Sequence, residues 1–531
     1  MALRKSIMVK WKCWAPEQQT KNREIIILVL CIVVGFALRF YTFDQKSLWM
    51  DEVYTFNDSR DDLRGQLNYY RENPTYLHPP LFYILTHVFY PFAKPERDLR
   101  IIPLIFGSAS IAMIYFLSKL FLPTIALPCT LSLTFMAYHI SLSQDGRSYT
   151  LIMFLAIVAI YFFMKHKNTS NNVYLLWTAI FASILFYISY ASIPFIFLFQ
   201  LLWLYHVKEE KRPAVTSLMV LNGLILLFCL PWLLFVTLNY KPHSTIDIGL
   251  TETPSSFWNL LYGIANDWVP YAPLAISSII LLILLPVLSP KRRNGWILLA
   301  VFVLPIGGIY LFCKLLNVSH FVTSRYFINF LPLFFIALYL SLSNIEIRFD
   351  RLKRFLRLRL LFVILLIASN ALMLPLYYRS EKQDYRGLMR YLKGQLRDGD
   401  KIIAGNLVQI GVMLHHLGVY PEGRHYAIPV RKVSEGEFEN YINVVYQDIT
   451  FTILCSKSHW FNYLADGSRL WIVADKKNAK LVKESLPCVL KGYFDGSVLN
   501  LNRFPTDASV YLFLWDPSSP NEKGIDLPIQ K

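Results

Sequence analysis

Residues 25–43 read IIILVLCIVVGFALRFYTF, an apolar run close to the about 20 residues that a helix needs to cross a lipid bilayer. Ten further apolar stretches follow, near residues 100–119, 122–140, 149–164, 173–189, 191–206, 214–238, 271–289, 296–315, 326–343 and 360–377. The stretch 173–206 allows one hairpin or one bent element, because Tyr190, Ser192 and Pro194 interrupt it. The pattern predicts a polytopic α-helical membrane protein with about 11 transmembrane helices.

The composition of the chain agrees with this pattern. The 531 residues are 55% hydrophobic and 17% charged, whereas soluble globular proteins are about 45–50% apolar and about 25% charged. An apolar excess of this size in a long chain requires lipid as a second solvent. Intrinsic disorder, a collagen-like repeat and a wholly soluble multidomain enzyme are therefore excluded.

The net charge of +17 is unevenly distributed along the chain. From Arg379 onward there are 20 basic and 17 acidic residues, a surplus of +3, so the first 378 residues hold the remaining +14. A basic surplus within the apolar region is typical of membrane topology, because cytoplasmic turns collect Lys and Arg. It does not indicate a nucleic-acid surface, and we expect no nucleic-acid partner.

The loop charges predict an orientation. With residues 1–23 placed in the cytoplasm, the basic turns all fall on that side, at Lys165, Lys167, Lys208, Lys211, Arg212, Lys291, Arg292, Arg293 and the run from Arg348 to Arg359. An odd number of spans then puts the C-terminus outside. The predicted protein is a multi-pass protein of the inner (plasma) membrane, with a transmembrane domain over 24–378 and a periplasmic or extracellular domain over 379–531.

Two long segments lie outside in this topology. The loop 44–99 is acidic in its first half, and its stretch Pro79–Phe92 is too short to span and predicts a juxtamembrane helix. Residues 379–531 predict a small soluble α/β domain. Its helix is expected at Tyr385–Arg397, and its strands at Lys401–Ala404, Ile449–Leu454, Arg469–Ala474 and Ser509–Trp515. Cys455 and Cys488 are the only cysteines there, and a disulfide between them stays open.

Polar residues gather where spans reach the outer face. They are Arg39; Asp51, Glu52 and Tyr54 in LWMDEVYTF (48–56); His78 in HPPLFYIL (78–85); Asp145, Arg147 and Tyr149 in SQDGRSYTL (143–151); and Arg325 and Tyr326 in SRYFINFLP (324–332). Singly, each has a plain structural explanation: a solvated acidic pair, a rigid His-Pro-Pro turn, an arginine reaching headgroups. Together they indicate a site at the boundary between lipid and water.

In this order the four motifs resemble the bacterial relatives of protein O-mannosyltransferases and of lipid A aminoarabinose transferases. These are glycosyltransferases of the GT-C class that use polyprenyl-phosphate-linked sugars. The resemblance covers about residues 25–340, and the segment DYRGLMRYLKGQLRDGDKII (384–403) resembles tails found in the same family. One departure is visible, because many relatives have Glu-Ala-Arg where this chain has Asp145-Gly146-Arg147.

The resemblance implies a donor, an acceptor and residue roles. The donor would be a sugar on a polyprenyl phosphate, and the acceptor a hydroxyl of a lipid, a polysaccharide or a protein. Asp51 corresponds to the family's base, and Glu52 would orient the acceptor or the base. Arg147 and Arg325 are the best candidates for the carrier phosphate, because a guanidinium matches phosphate oxygens bidentately. The remaining candidates for substrate binding are Arg39, Tyr54, His78, Asp145, Tyr149 and Tyr326.

The family's reaction is a single displacement with inversion at the anomeric carbon. A covalent glycosyl-enzyme would need a second carboxylate about 5 Å from the first. Asp51 and Glu52 are consecutive and point differently on a helix, but Asp145 could supply the second acid. The sequence implies no cofactor with certainty: metal-binding motifs are absent, and a divalent metal held by Glu52, Asp145, His78 or His320 stays open.

Two other classes of function compete with the transferase. A lipid-linked sugar flippase or another polytopic transporter is the first, although transporters often carry charged residues and broken helices near the midplane. A non-catalytic assembly or sensor protein, with its function in the C-terminal domain, is the second. The charged clusters at one face favour the enzyme.

Overall fold

A computed structural model describes the chain over residues 22–74, 77–205, 215–241, 256–315, 323–348, 357–419, 430–434, 437–456, 464, 467–500, 503–519 and 523–527. The contacts divide the chain into two compact units. The first comprises Met1–Tyr41, Tyr70–Phe82 and Ile101–Leu374, and the second comprises Thr42–Tyr69, Tyr83–Arg100 and Pro375–Lys531. Each unit is described by itself below.

The first unit is built from apolar helices. They span residues 22–40, Ile101–Phe121, Ala126–Phe135, Ala137–Ser143, Tyr149–Thr169, Asn172–Ile188, Ile193–Ile196, Leu198–Leu204, Val215–Asn239, Phe257–Trp268, Ala272–Leu288, Arg292–Leu315, Leu331–Arg348 and Leu358–Arg379, with 3-10 turns at Pro123–Ile125, Tyr190–Ser192 and Ser324–Phe330. The last helix ends just beyond the boundary of the unit. Continuous helix satisfies every backbone hydrogen bond without water, which is what an apolar solvent demands.

Among the described residues, six helices are long and apolar enough to cross a membrane, judged by length and composition. Two further pairs pass the same test but are bent, by 60° between Pro123–Phe135 and Ala137–Ser143 and by 117° between Phe257–Trp268 and Ala272–Leu288. Counting each bent pair as one span gives up to eight. The chain is thus a multi-pass membrane protein, and the number of about 11 spans stays a prediction.

The ambiguous stretch 173–206 consists of several helical pieces. Asn172–Ile188 is capped by the Asn171 side chain, which accepts from the Val173 N–H. Ser189 is extended, with φ −159°, and a 3-10 turn precedes the short helices that end at Leu204. Proline lacks an N–H and restrains the residue before it, so Pro194 sits at the start of a helix rather than inside one.

The second unit contains a seven-stranded sheet. Its strands are β1 (Lys401–Ala404), β2 (Val430–Ser434), β3 (Glu437–Tyr446), β4 (Ile449–Ser456), β5 (Leu470–Ala474), β6 (Val489–Phe494) and β9 (Val510–Trp515), in the order β2-β3-β4-β1-β5-β9-β6. β1 pairs in parallel with β4 and β5, and the other pairs are antiparallel. β7 (Ser497–Asn500) and β8 (Arg503–Asp507) form a separate hairpin. Strands are therefore present at all four predicted positions.

The helices of the second unit are Met50–Asp58, Leu63–Glu72, Leu81–His87, Pro95–Asp98, Tyr385–Lys393, Leu407–Leu417 and Lys476–Ser485, of which the second and third extend past the unit's boundaries. The last three start at side-chain caps: Asp384, Asn406 and Asp475 each accept a backbone N–H in the first turn. Such caps satisfy donors that the helix itself leaves unpaired. The predicted juxtamembrane helix over Pro79–Phe92 is thus a shorter helix, Leu81–His87.

Parts of the loop 44–99 share a core with the C-terminal region. Leu48, Val53, Phe56 and Leu99 belong to the same cluster of buried residues as the inner faces of Tyr385–Lys393, Leu407–Leu417 and the sheet. The Phe56 ring meets the His415 ring edge-on, with centroids 4.6 Å apart. The predicted division assigned this loop to the transmembrane domain, whereas the contacts group Thr42–Tyr69 and Tyr83–Arg100 with Pro375–Lys531. The apolar face of the loop helix is the physical reason.

Cys455 and Cys488 are not joined by a disulfide in the structure. Cys455 lies on β4, and Cys488 immediately precedes β6, which is four places away in the strand order. Neighbouring strands are about 4.8 Å apart, so the two positions are separated by roughly 19 Å. A disulfide requires Cα atoms within about 7 Å. Burial raises the pKa of the Cys488 thiol to about 12.

Candidate active site

The acidic pair lies in the first turn of the Met50–Asp58 helix. Negative charge is favourable there, because the unpaired N–H groups give the start of a helix a partial positive charge. Asp51 is half-buried, Glu52 is fully buried and Tyr54 is exposed. Consecutive residues on a helix point about 100° apart, so the two carboxylates lie in different surroundings despite their adjacency.

Glu52 forms a buried, bidentate ion pair with Arg100. The Arg100 Nε and Nη2 atoms each donate to a Glu52 carboxylate oxygen at 2.6 Å, and both side chains are almost completely buried. The same guanidinium donates to the carbonyl oxygens of Phe43 (2.9 Å), Lys46 (3.1 Å) and Ser47 (3.2 Å). Glu52 therefore anchors the start of its helix to the preceding loop and to Arg100.

The loop before this helix is also attached to the segment 381–386. The Ser47 N–H donates to Glu381 Oε2 at 2.9 Å, and the Met50 N–H donates to Gln383 Oε1 at 3.4 Å. Arg386 donates to the Gln45 carbonyl. Residues of the C-terminal region, in the same unit, therefore hold the first turn of the helix that carries Asp51.

A buried lysine lies beneath this loop. The Lys46 ammonium donates to the Tyr377 carbonyl oxygen. Burial, together with the positive charge of Lys382, lowers the pKa of Lys46 to about 7. Burial also raises the pKa of the Glu381 carboxyl group. Both shifts reflect the exclusion of water from the contact between the loop and the segment 381–386.

In the first unit, Arg39 binds the backbone at a break between two helices. The helix Ala126–Phe135 ends at Met136, which is extended, with ψ 108°. The Arg39 guanidinium donates to the freed carbonyl oxygens of Leu133 (2.8 Å) and Thr134 (3.2 Å) and lies 2.8 Å from His139 Nδ1. Arg39 is fully buried. Its observed role is to satisfy the broken backbone; its assignment to substrate binding stays a prediction.

Two amides complete this break. The Ala137 N–H donates to Asn370 Oδ1 at 2.7 Å, and Gln144 Nε2 donates to the carbonyl oxygens of Arg39 (2.9 Å) and Tyr41. Asp145 and Arg147 follow directly in a tight turn, where the Arg147 N–H donates to the Asp145 carbonyl. Asp145 is buried and Arg147 half-buried. The hydrogen bonds at the helix break therefore fix the position of the turn that follows it.

Three of the predicted residues are brought together near the 3-10 turn Ser324–Phe330. The Arg325 guanidinium carbon lies 5.8 Å from the centroid of the Tyr149 ring and 5.7 Å from that of Tyr326. The two rings meet edge-on, with centroids 6.3 Å apart. Arg325 is half-buried. A guanidinium over aromatic faces is oriented by its attraction to the rings.

A buried carboxylate missed by the sequence analysis lies beside this cluster. The Ser324 hydroxyl is 2.5 Å from Asp267 Oδ2 and 2.7 Å from the Tyr138 hydroxyl. Asp267 lies near the end of the helix Phe257–Trp268, which precedes the sharp 117° bend. The sequence predicts a span over 271–289 but not the helix that precedes it. An acidic residue within a longer apolar region was the signal that could have found it.

Arg100 was missed for a different reason. It stands immediately before an apolar run, where an arginine usually reaches lipid headgroups, and only the tertiary structure pairs it with Glu52.

His78 is exposed, in the turn that precedes the Leu81–His87 helix. No group of three or more His, Cys, Asp or Glu side chains that could hold a metal occurs in the described part of the chain. His320, the fourth metal candidate, lies outside the described residues.

Two solved structures match over nearly the whole chain. ArnT from Cupriavidus metallidurans bound to undecaprenyl phosphate has 10% identity and a TM-score of 0.51, and its apo state has 10% identity and a TM-score of 0.53. Each match covers 93% of this chain and 98% of that one. This chain has a GT-C fold. The resemblance predicted from the motifs is thereby confirmed at the level of the fold.

A weaker match has less overlap. The oligosaccharyltransferase of Archaeoglobus fulgidus tethered with an acceptor peptide has 13% identity and a TM-score of 0.44, covering 75% of this chain and 63% of that chain. No family model and no curated protein matches the sequence. The GT-C fold is therefore recognised from the three-dimensional arrangement and from short motifs, not from overall sequence similarity.

Proposed function

We propose that this protein transfers a sugar from a polyprenyl-phosphate-linked donor to an acceptor hydroxyl on the extracytoplasmic face of the inner (plasma) membrane. The observation that carries the proposal is the fold shared, over 93% of the chain, with a transferase solved with undecaprenyl phosphate bound. The arginines and carboxylates of the four motifs supply the chemistry. The acceptor class is a lipid, a polysaccharide or a protein, and the sugar is a pentose or hexose.

The proposed reaction is one displacement at the anomeric carbon. The acceptor oxygen forms the new glycosidic bond while the bond between the anomeric carbon and the phosphate oxygen breaks. Asp51 takes the acceptor's proton as general base. The electron pair leaves with the polyprenyl phosphate, whose charge Arg147 and Arg325 stabilise. Configuration at the anomeric carbon inverts, and no covalent intermediate forms on the protein.

Glu52 acts indirectly in this proposal. Both of its carboxylate oxygens accept from Arg100, and its buried position sets the first turn that presents Asp51. The half-buried Asp51 is the carboxylate of the pair that suits proton transfer, because a base must reach its substrate. Tyr54, Tyr149 and Tyr326 are assigned to substrate binding, as are Asp145 and His78.

The topology of the proposal has about 11 spans, a cytoplasmic N-terminus and an exported C-terminal domain. The basic turns of the sequence support it. The predicted cytoplasmic segment 1–23 lies largely outside the described residues. A cysteine-accessibility assay on intact cells tests the orientation: a cysteine introduced at Asp44 or Ser518 is expected to react with a membrane-impermeant reagent.

Replacing the base tests the chemistry. Asp51→Asn keeps the size and removes the proton acceptor, so we expect transfer to fall by about 10²–10⁴-fold. The measurement is radiolabelled or mass-detected product formed by purified protein from a polyprenyl-phosphate sugar. Because the donor sugar is unidentified, envelope glycolipids and glycoproteins of cells with and without the protein are first compared by mass spectrometry.

Asp44→Asn is the matched control for this experiment. Asp44 is an exposed carboxylate in the same loop, so its loss removes the same charge while the reaction should proceed at the wild-type rate. Normal transfer by Asp51→Asn would reject Asp51 as the base. Sugar-lipid translocation in liposomes, without any glycoside formed, would instead identify a flippase.

A further inference from the structure

The buried chain of hydrogen bonds from Tyr138 through Ser324 to Asp267 has no role in the reaction described above. All three side chains are at least 95% buried. A serine hydroxyl has one hydrogen. Ser324 donates it to Asp267 Oδ2 at 2.5 Å, so Tyr138 is the donor across the 2.7 Å contact with Ser324. Both hydrogen bonds are therefore donated in the same direction, from Tyr138 to Ser324 and from Ser324 to the Asp267 carboxylate.

These hydrogen bonds connect three separate segments of the first unit. Tyr138 lies on Ala137–Ser143, Ser324 begins the 3-10 turn Ser324–Phe330, and Asp267 lies on Phe257–Trp268. Two of these segments belong to the bent helix pairs. A carboxyl group among apolar helices is costly unless its oxygens are bonded. Ser324 satisfies Asp267 Oδ2, while Oδ1 has no hydrogen-bond partner within the described residues. The bond from Ser324 therefore offsets part of the cost of burying this carboxyl group at the junction.

The junction lies immediately beside Arg325. Ser324 is the preceding residue and the first of the 3-10 turn, and the Tyr326 N–H donates to the Thr323 carbonyl at 3.1 Å across the same turn. The Ser324 side chain is thus fixed on one side by Asp267 and on the other by Tyr138. With its backbone fixed in this way, Arg325 is held over the rings of Tyr149 and Tyr326.

We propose that Asp267 is a positioning residue that, through Ser324, holds Arg325 in the orientation that binds the phosphate of the lipid-linked donor. This inference rests on the proposed function, in which Arg325 contacts that phosphate. Asp267 itself does not touch the donor. Its effect is geometric, because a charged group displaced by about 1 Å loses much of its contribution to binding and to the transition state.

Binding of undecaprenyl phosphate to the purified full chain in lipid nanodiscs tests the proposal. Asp267→Leu and Ser324→Ala both remove the hydrogen bond between these two residues, and Ser324→Ala also removes the one from Tyr138, so each should weaken binding by at least about tenfold. Asp267→Asn keeps an oxygen that accepts from Ser324 and should stay within about threefold of the wild type. The double variant Asp267→Leu/Ser324→Ala should bind no more weakly than Ser324→Ala alone, because that single variant already removes the contact with Asp267.

Ser341→Ala is the matched control. Ser341 is a buried serine on the following helix, and it donates to the Leu281 carbonyl at 3.0 Å. Its removal deletes a comparable hydrogen bond between two helices but leaves the Arg325 turn unchanged, so binding should equal that of the wild type. The thermal transition of every variant is recorded in the same nanodiscs.

The outcomes separate this inference from the proposed function. If the wild type does not bind undecaprenyl phosphate, or Arg325→Ala binds as tightly as the wild type, Arg325 is not a phosphate ligand and both proposals fail at that point. If Arg325→Ala loses binding while folded Asp267→Leu and Ser324→Ala bind normally, the positioning role alone is overturned. Equal losses in Asp267→Leu, Asp267→Asn and Ser341→Ala, each with a lowered thermal transition, would also overturn it in favour of general stability.

Discussion

At the scale of single residues, two neighbouring carboxylates are separated by their surroundings. Asp51 and Glu52 are adjacent in sequence, yet Glu52 is fully buried and paired with Arg100, whereas Asp51 is half-buried. The half-buried Asp51 remains accessible. The acidic pair could be predicted as a candidate site from its motif. The different roles of the two carboxylates could not be predicted, because the partner of Glu52 lies 48 positions away.

The Glu52–Arg100 pair predicts an asymmetry in stability. Arg100→Met leaves a buried carboxylate without its counter-charge, which should lower the free energy of unfolding by about 3–5 kcal/mol. Glu52→Leu/Arg100→Met replaces both charges with apolar side chains and should recover most of that loss. Thermal or denaturant unfolding of the second unit, followed in the full chain in detergent, measures both variants.

The comparison between the two variants is the control in this experiment. A double variant as unstable as Arg100→Met would show that the carbonyl contacts of Arg100 with Phe43, Lys46 and Ser47 matter more than the charge pair. Arg100→Lys, which keeps the charge and loses the bidentate geometry, should fall between the wild type and Arg100→Met.

At the scale of elements, the Leu407–Leu417 helix supports the helix that carries the acidic pair. Phe56 packs edge-on against His415, and the Ser47 hydroxyl lies 3.4 Å from His416 Nε2. Burial is the main cause that lowers the pKa of His415 to about 3 and that of His416 to about 4. Two neutral histidines thus form part of the contact between the loop and the C-terminal region.

These histidines predict a pH dependence of stability. A histidine in the unfolded chain has a pKa near 6.5. Below about pH 6.5 the unfolded state therefore binds a proton at His415, whereas the folded state, in which His415 is buried, does not. The stability of the second unit should therefore fall as the pH falls from about 6.5 toward 4, by about 1.4 kcal/mol per pH unit for His415.

His415→Leu removes this titration. Its unfolding free energy should depend on pH less steeply than that of the wild type below pH 6.5, while the two slopes between pH 7 and 8 should agree. Equal slopes in the acidic range would mean that His415 accepts its proton in the folded state, against its buried position. Chemical denaturation at a series of pH values gives both slopes.

At the scale of the whole molecule, the second unit combines segments that lie far apart in the sequence. Thr42–Tyr69 and Tyr83–Arg100 precede most of the spans, and Pro375–Lys531 follows them, yet these three segments form one contact unit. Their shared core includes Leu48 and Phe56 from the loop and Leu388 and Met413 from the C-terminal region. The loop therefore has no complete core of its own.

Deletion of residues 380–531 tests this dependence. The loop should lose the surface that buries Leu48, Val53, Phe56 and Leu99, and should become sensitive to protease in membranes. Transfer should be lost although Asp51 is still present. A truncated protein with a resistant loop and normal transfer would contradict the shared core, and loss of function with a fully protected loop would favour a separate role of the C-terminal domain.

The features that depend on local composition could be predicted from the sequence. Apolar runs of bilayer length predicted the helices, alternating β-rich runs predicted strands at four positions, and short motifs predicted a GT-C fold. These signals are local because a lipid-facing helix satisfies its own backbone and a strand shows its pattern within a few residues. Asp51, Arg147 and Arg325 were candidates for the same reason.

The partners of the buried polar groups, in contrast, depend on the tertiary structure. Glu52 pairs with Arg100, Arg39 with the carbonyl oxygens freed by the break at Met136, and Asp267 with Ser324, although 48 to 95 positions separate these partners along the chain. No local pattern encodes these pairings. They form because a buried charge or an open backbone group must be satisfied wherever folding brings a partner within reach.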